Sequence, residues 1–394
     1  MYNAFVTRPI PFQVAVPETV LDDLHTRLAN TRWPDEPDDA GWDYGANLGY
    51  MKQLIAYWRD GFDWRATEAK INAFPQFTAP ITAENGETVD IHFIHEIGSG
   101  ANPLPLLLMH GWPGSIAEFL DVIEPLAHPE RFGGQPDDGL TIIAPSLPGY
   151  GFSGIPKTTL GPQATGGMMS RLMRNVLRYE RYGVQGGDWG GVIGARMALD
   201  HPSGIAALHV NILPLRPGIG PDDAPLTDEE TAWLGAAKKH LRNETAYQEI
   251  QATKSQTLAY GLNDSPAGLA GWITEKFHRW AAPEAEAPPF TMDQLLTNIT
   301  IYWATGTINS SARMYRGFFR DERSGAMKPG QKIDIPLGIC LPPNDLYPPP
   351  PSSWLQRLGI VVHETRLNAG GHFTALEVGS VFVEDVQSFF RLHR

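Results

Sequence analysis

The sequence predicts an α/β architecture: a mostly parallel central sheet covered by helices, with an inserted helical cap and a helical N-terminal extension. Three observations predict it. From about residue 86 to 213, short apolar runs alternate with stretches of helical spacing, as in parallel strands joined by crossover helices. At Pro214 the alternation stops, and helical spacing takes over to about Pro329. At Ile333 the strand pattern resumes, and a last helix closes the chain. The expected division is therefore 1–85, 86–213, 214–332 and 333–394, the third segment being the cap.

In the first segment, Val20, Leu21, Leu24 and Leu28 form one apolar stripe after Pro17, a natural first-turn residue. A second helix carries Leu48, Met51, Leu54, Ile55 and Trp58, and a third starts at Asp63. The period then changes. Val89, Ile91 and Phe93 alternate with polar residues, while 103–109 and 140–145 read as buried strands. Residues 168–182 have helical spacing, a short strand precedes Gly186, and a helix begins near Val192. Strands follow at 206–213, 333–341 and 360–367, then a helix at 377–392. The charged stretch Asp222 to Glu230 reads as a solvated loop and helix start.

The composition is that of a globular protein, 42% hydrophobic and 19% charged over 394 residues. A net charge of -13 argues against a nucleic-acid partner, which needs a basic face. Cys340 is the sole cysteine, so no internal disulfide forms, and its apolar surroundings read as a buried strand. No cysteine or histidine cluster has metal-ligand spacing. The start of the chain lacks the apolar core of a signal peptide, and no stretch nears the ~20 apolar residues of a membrane span. A soluble, cytoplasmic protein is the default expectation.

Four motifs carry chemistry. Gly186-Gly187-Asp188-Trp189-Gly190-Gly191 has the spacing of a nucleophile elbow, with aspartate where serine is common. His110-Gly111-Trp112-Pro113 follows the Leu-rich strand, where half of an oxyanion hole belongs; the Trp112 N–H would pair with that of Trp189. Gly370-Gly371-His372-Phe373 follows the last strand, where the base belongs. Asp345 lies in the loop after the strand ending near Leu341. Each alone fits an ordinary turn, a capping aspartate or a structural histidine. Together they run nucleophile, acid, histidine, the α/β-hydrolase order.

The chain resembles the microsomal-type epoxide hydrolases, including the juvenile-hormone and related bacterial members. The likeness rests on Trp42-Asp-Tyr-Gly, Phe62-Asp-Trp-Arg, Phe74-Pro-Gln-Phe-Thr, Ile91-His-Phe-Ile-His and His110-Gly-Trp-Pro-Gly-Ser. It continues through Pro145-Ser-Leu-Pro-Gly-Tyr-Gly-Phe-Ser, the Asp188 elbow, Leu262-Asn-Asp-Ser-Pro-Ala-Gly-Leu-Ala, Tyr302-Trp-Ala-Thr-Gly-Thr-Ile and Gly370-Gly-His-Phe. It implies a cofactor-independent enzyme, with an apolar epoxide and water as partners. Mammalian members begin with a membrane anchor; this chain does not, so membrane attachment is not expected. A homo-oligomer stays open.

The chemistry suits such a substrate. Attack by Asp188 on an epoxide carbon leaves an ester, which water activated by His372 can hydrolyse, with Asp345 orienting the imidazole. The expelled alkoxide needs a donor, and the resemblance implies two cap tyrosines, matching Tyr247 and Tyr315. Tyr260 and Tyr302 are reserve candidates; Trp189 and Trp303 are expected pocket walls. Two rivals remain: a haloalkane dehalogenase, sharing the aspartate, histidine and ester, and a non-catalytic binding protein on the same scaffold.

Overall fold

The computed structural model describes residues 8–212, 215–221, 223–321 and 325–394. The strands are β1 (Ile10–Phe12), β2 (Gln76–Thr82), β3 (Thr88–Glu96), β4 (Leu104–Met109), β5 (Leu140–Pro145), β6 (Tyr182–Gly186), β7 (Ile205–Val210), β8 (Ile333–Leu341) and β9 (Gly359–Arg366). They form one sheet in the order β1-β2-β3-β5-β4-β6-β7-β8-β9. From β5 to β9 all neighbours are parallel, whereas β1, β2, β3 and β5 pair antiparallel.

The helices are α1 (Glu18–Ala29), α2 (Leu48–Asp60), α3 (Trp64–Ile71), α4 (Ile123–Ala127), α5 (Pro162–Arg171) and α6 (Asp188–Asp200). Between β7 and β8 come α7 (Asp228–Glu244), α8 (Ala246–Leu262), α9 (Pro266–Arg279), α10 (Met292–Thr305) and α11 (Ile308–Arg320). The set ends with α12 (Ser352–Gln356), α13 (Thr374–Glu377) and α14 (Gly379–Arg391).

β4 explains why the sheet is buried on both faces. Its six residues are all buried, and successive side chains enter opposite cores: Leu106 and Leu108 one, Leu107 and Met109 the other. The chain leaves β4 toward β5 on one side, then returns to place β6 on the other. Such a reversal opens a crevice at the carboxyl ends of the two strands. Met109 and Gly186 pair in register there, which brings the His110 and Gly186 loops side by side.

Several expectations need correction. Residues 1–85, read as helical, also hold β1 and β2. A three-residue strand has no readable period, and Pro80 argues against a paired strand in sequence; here it pairs with Asp90 of β3 alone, beyond the three residues that β1 covers, so its missing N–H costs the sheet little. The helix expected at 168–182 starts earlier, at Pro162, and ends in a π-helical turn, Leu172–Val176. The strand expected at 206–213 is described only to Val210; Leu213 and Pro214 lie outside the described residues, as does Asp222. Glu230 is not solvated. It is fully buried, accepts from both Nε and Nη2 of Arg357, and closes a capping box with Thr227.

The N-terminal helices brace the cap. The Trp42 ring stacks on His278 at 3.8 Å and its indole N–H donates to the Glu286 carbonyl. Arg27 pairs with Asp264 at 2.7 Å, and the Tyr57 hydroxyl donates to Asp293 at 2.8 Å. No helix among the described residues is long and apolar enough to cross a membrane.

Candidate active site

The elbow forces Asp188 into its position. Asp188 has φ +49°, in the left-handed region that L residues seldom occupy. Strand β6 must turn at once into α6, and only a bare backbone permits the approach: a Cβ on Gly190 would fall 2.1 Å from the Met109 carbonyl oxygen. Gly111 serves the same end, since its Cβ would lie 2.3 Å from the Asp188 Cβ. The carboxylate thus lies against the Gly111–Trp112 backbone, and the Trp112 N–H donates to its Oδ1 at 2.9 Å.

The acid and histidine loops are zipped together. The Asn344 N–H donates to the Gly370 carbonyl at 3.2 Å, and Asn344 bridges Gly371. One residue further on each strand end, Asp345 Oδ1 lies 2.8 Å from His372 Nδ1. The other ring nitrogen, Nε2, lies 3.5 Å from Asp188 Oδ2. The His372 backbone N–H donates to the Trp280 carbonyl at 2.9 Å, which ties the histidine loop to the cap.

Electrostatics follow from this geometry. Burial raises the pKa of Asp188, while His372 and the Trp112 and Trp189 N–H groups pull the other way. Burial alone would depress His372, but the Asp345, Asp188 and Glu118 carboxylates outweigh it and push its pKa up to about 9. Tyr247 and Tyr315 are held well above the ordinary phenol value, chiefly by burial, so both are neutral donors at neutral pH.

The tyrosines lie in an aromatic cluster facing the elbow. Tyr247 stacks on Trp112 at 5.2 Å and meets Tyr315 edge-on at 5.6 Å. Tyr315 also meets Trp112 at 5.7 Å and Trp189 at 4.7 Å. Gln248 Nε2 donates to the Tyr247 oxygen at 3.1 Å, which leaves the phenolic hydrogen free. Trp280, which no motif marks, completes the wall: its ring lies 5.3 Å from Tyr247 and 4.7 Å from His372.

Trp303 does not line this site. It stands half-buried beneath the Arg27 guanidinium, 5.8 Å from its ring. Its helix neighbour Tyr302 points inward instead and donates to the Gly114 carbonyl at 2.8 Å, since adjacent helical residues point in different directions. Tyr260 is 72% exposed and falls away as a reserve donor.

Motif reading also passed over Glu118 and Gln185. Both line a cavity beside Asp188 and His372. Burial pushes the Glu118 carboxyl up to about 8. Among the described residues, one group has metal-ligating types close together: His209, His363 and Asp385, from β7, β9 and α14. Their atoms are engaged with one another, His209 Nε2 at 2.9 Å and His363 Nε2 at 2.8 Å from separate Asp385 oxygens, and they clamp the last helix to the sheet.

Similarity to known proteins gives the family. Residues 9–119 match the family model described as the epoxide hydrolase N terminus, and residues 105–257 match that of the alpha/beta hydrolase fold. Epoxide hydrolase 1 of Sus scrofa is 34% identical over 407 residues, covering 97% of this chain and 88% of that protein. The juvenile hormone epoxide hydrolase of Bombyx mori is 31% identical, covering 95% and 85%. Its crystal structure superposes with a TM-score of 0.82 over 98% of this chain and 94% of that one, at 30% identity. The Aspergillus niger epoxide hydrolase structure gives 0.83 over 98% and 97%, at 28% identity. With relatives of this identity matched over nearly its whole length, the chain belongs to the epoxide hydrolase family of the α/β-hydrolase superfamily.

Proposed function

We propose that the protein converts a small apolar epoxide and water to a vicinal diol through an Asp188 alkyl ester. The observation that carries this reading is one carboxylate 3.5 Å from the histidine of a histidine–aspartate pair, with two buried neutral phenols nearby. Asp188 Oδ2 attacks a ring carbon while Tyr247 and Tyr315 donate to the ring oxygen, so the C–O bond breaks toward a hydroxyl rather than a free alkoxide. Water then attacks Cγ of the ester and gives its proton to His372 Nε2. The oxyanion forms on Oδ1, where the Trp112 and Trp189 N–H groups receive it. Collapse expels the diol oxygen, which takes the proton from His372, and the proton left on the Asp188 carboxyl passes back to the tyrosine that lost one, so the net reaction is epoxide plus water to diol. Asp345 keeps the imidazole oriented and favours its charged form. The aromatic walls at Trp112, Trp189 and Trp280 suit an apolar substrate.

One observation favours a dehalogenase instead: the indole N–H groups of Trp112 and Trp189 are buried without partners and could hold a halide. A halide leaving group has no use for two phenols, so the epoxide reading stands ahead. The discriminating assay offers styrene oxide and a 1-haloalkane to the wild type and to Asp188→Asn. Diol from the first, lost in the variant, is the expected result. Halide release without diol would reverse the ranking.

A further inference from the structure

The cavity beside Asp188 is walled by Met109, Gln185, Gly187 and Asn211 at the strand ends, by Glu118, and by the histidine loop. No residue of the cap helices α7–α11 lines it, whereas both tyrosines belong to the cap. Asp188 therefore borders a small cavity toward the sheet, in which a few polar groups sit among Met109, Phe119, Phe373 and Phe382 and to which the cap contributes no wall. The small compartment measures about 20 Å³, room for a single water.

Gln185 is the unexplained residue in its wall. It lies in a fully buried strand and is 1% exposed. Its amide nitrogen donates to Asn211 Oδ1 at 2.6 Å, and its amide oxygen has no partner. A buried, unsatisfied amide oxygen is costly, and an apolar side chain would fill a strand position more cheaply. A buried water usually makes about three hydrogen bonds, and this compartment offers the Gln185 oxygen, the Glu118 carboxyl and the edge of His372. Glu118, its pKa raised by burial to about 8, accepts from a water in either state and donates to one when protonated.

We propose that this compartment is a built single-water site, and that Gln185 is the positioning residue holding the hydrolytic water between His372 and the sheet-side face of Asp188. The inference rests on the ester mechanism proposed above and adds where its water comes from. Substrate enters from the cap side, so the water need not be displaced when the epoxide binds. Gln185 takes no part in ring opening; it aligns the water whose oxygen bonds to Cγ as its proton passes to His372.

The test separates the two chemical steps. Wild type, Gln185→Met and Gln185→Glu are mixed in excess with styrene oxide, quenched with acid and weighed intact over time. Gln185→Met keeps length and volume but cannot hold water. It should slow ester hydrolysis about tenfold, the worth of one hydrogen bond, while the rate of adduct formation stays within about twofold. The adduct then accumulates in the steady state. Gln185→Glu, which keeps an acceptor, should recover most of the hydrolysis rate. Equal slowing of both steps in Gln185→Met would mean a structural role, and unchanged hydrolysis would remove the residue from the mechanism; either overturns the proposal. A wild type that forms neither adduct nor diol would sink the ester reading itself. Should the variants not fold, a high-resolution crystal structure of the wild type decides: an ordered water on the Gln185 oxygen supports the site, and a dry cavity overturns it.

Discussion

At the scale of single residues, the two halves of the reaction fall to different side chains and can be separated. Tyr247 and Tyr315 bear on ring opening, so Tyr→Phe at either should slow single-turnover alkylation by about 10–10² fold and leave hydrolysis of a preformed ester nearly unchanged. Replacing both should cost more than either alone, because the second donor partly covers for the first. His372 bears on ester hydrolysis, and there pH is the probe. Its pKa of about 9 in the free enzyme depends in part on the Asp188 charge. Esterification removes that charge, so the pKa falls below about 9 in the intermediate. Hydrolysis needs the neutral imidazole, so its rate should rise with pH and level off at an apparent pKa below about 9. A rate that falls as pH rises toward that value would remove His372 as the base. The same shift bears on stability. A pKa raised above the ordinary ~6.5 means that protonated His372 stabilises the free enzyme, fully below about pH 6.5 and no longer once pH has risen through about 9.

At the scale of elements, legibility tracked how local the cause is. β4 is a continuous apolar run, and β5 and β8 are interrupted only by Thr141 and Asp334, so all three stood out; their bounds agree with the reading to within a residue. β1 escaped because its three residues pair with a partner far along the chain, and β2 because Pro80 interrupts its pattern, although β2 and β3 form a hairpin. The elbow was legible because its glycines answer to a steric demand that any sequence must meet. Gly190→Ala should be destabilising by about 3 kcal/mol or more, since its Cβ would sit 2.1 Å from the Met109 carbonyl oxygen in a core with no slack. Thermal denaturation checks this; a variant within a degree of wild type would mean that the turn can relax. Trp280, Glu118 and Gln185 were not legible, because each joins the site through a tertiary contact that no spacing rule encodes. Trp303 was misplaced for a related reason: a helical motif gives its residues but not which of them faces the cleft.

At the scale of the whole molecule, the catalytic groups come from segments far apart in sequence, and the N-terminal helices hold one of these segments in place. Trp42, Arg27 and Tyr57 meet α9, α10 and the loops beside them, and α9 is capped by Trp280, whose carbonyl accepts from the His372 N–H. The brace thus reaches the base through one helix. Trp42→Ala removes the His278 stack and an indole hydrogen bond, together worth about 1–2 kcal/mol. Faster amide hydrogen exchange in α9 is the expected result, with alkylation and hydrolysis both reduced; unchanged exchange would show that the extension is not a brace.

The central claim is that an aspartate, not a water, opens the ring, and one measurement addresses it directly. His372→Gln is incubated with styrene oxide, and the intact protein and its peptides are weighed. The account requires a stable adduct of one substrate mass on the peptide carrying Asp188, because ring opening survives while ester hydrolysis stalls. Diol made by the wild type, with no adduct ever held by the variant, would contradict it.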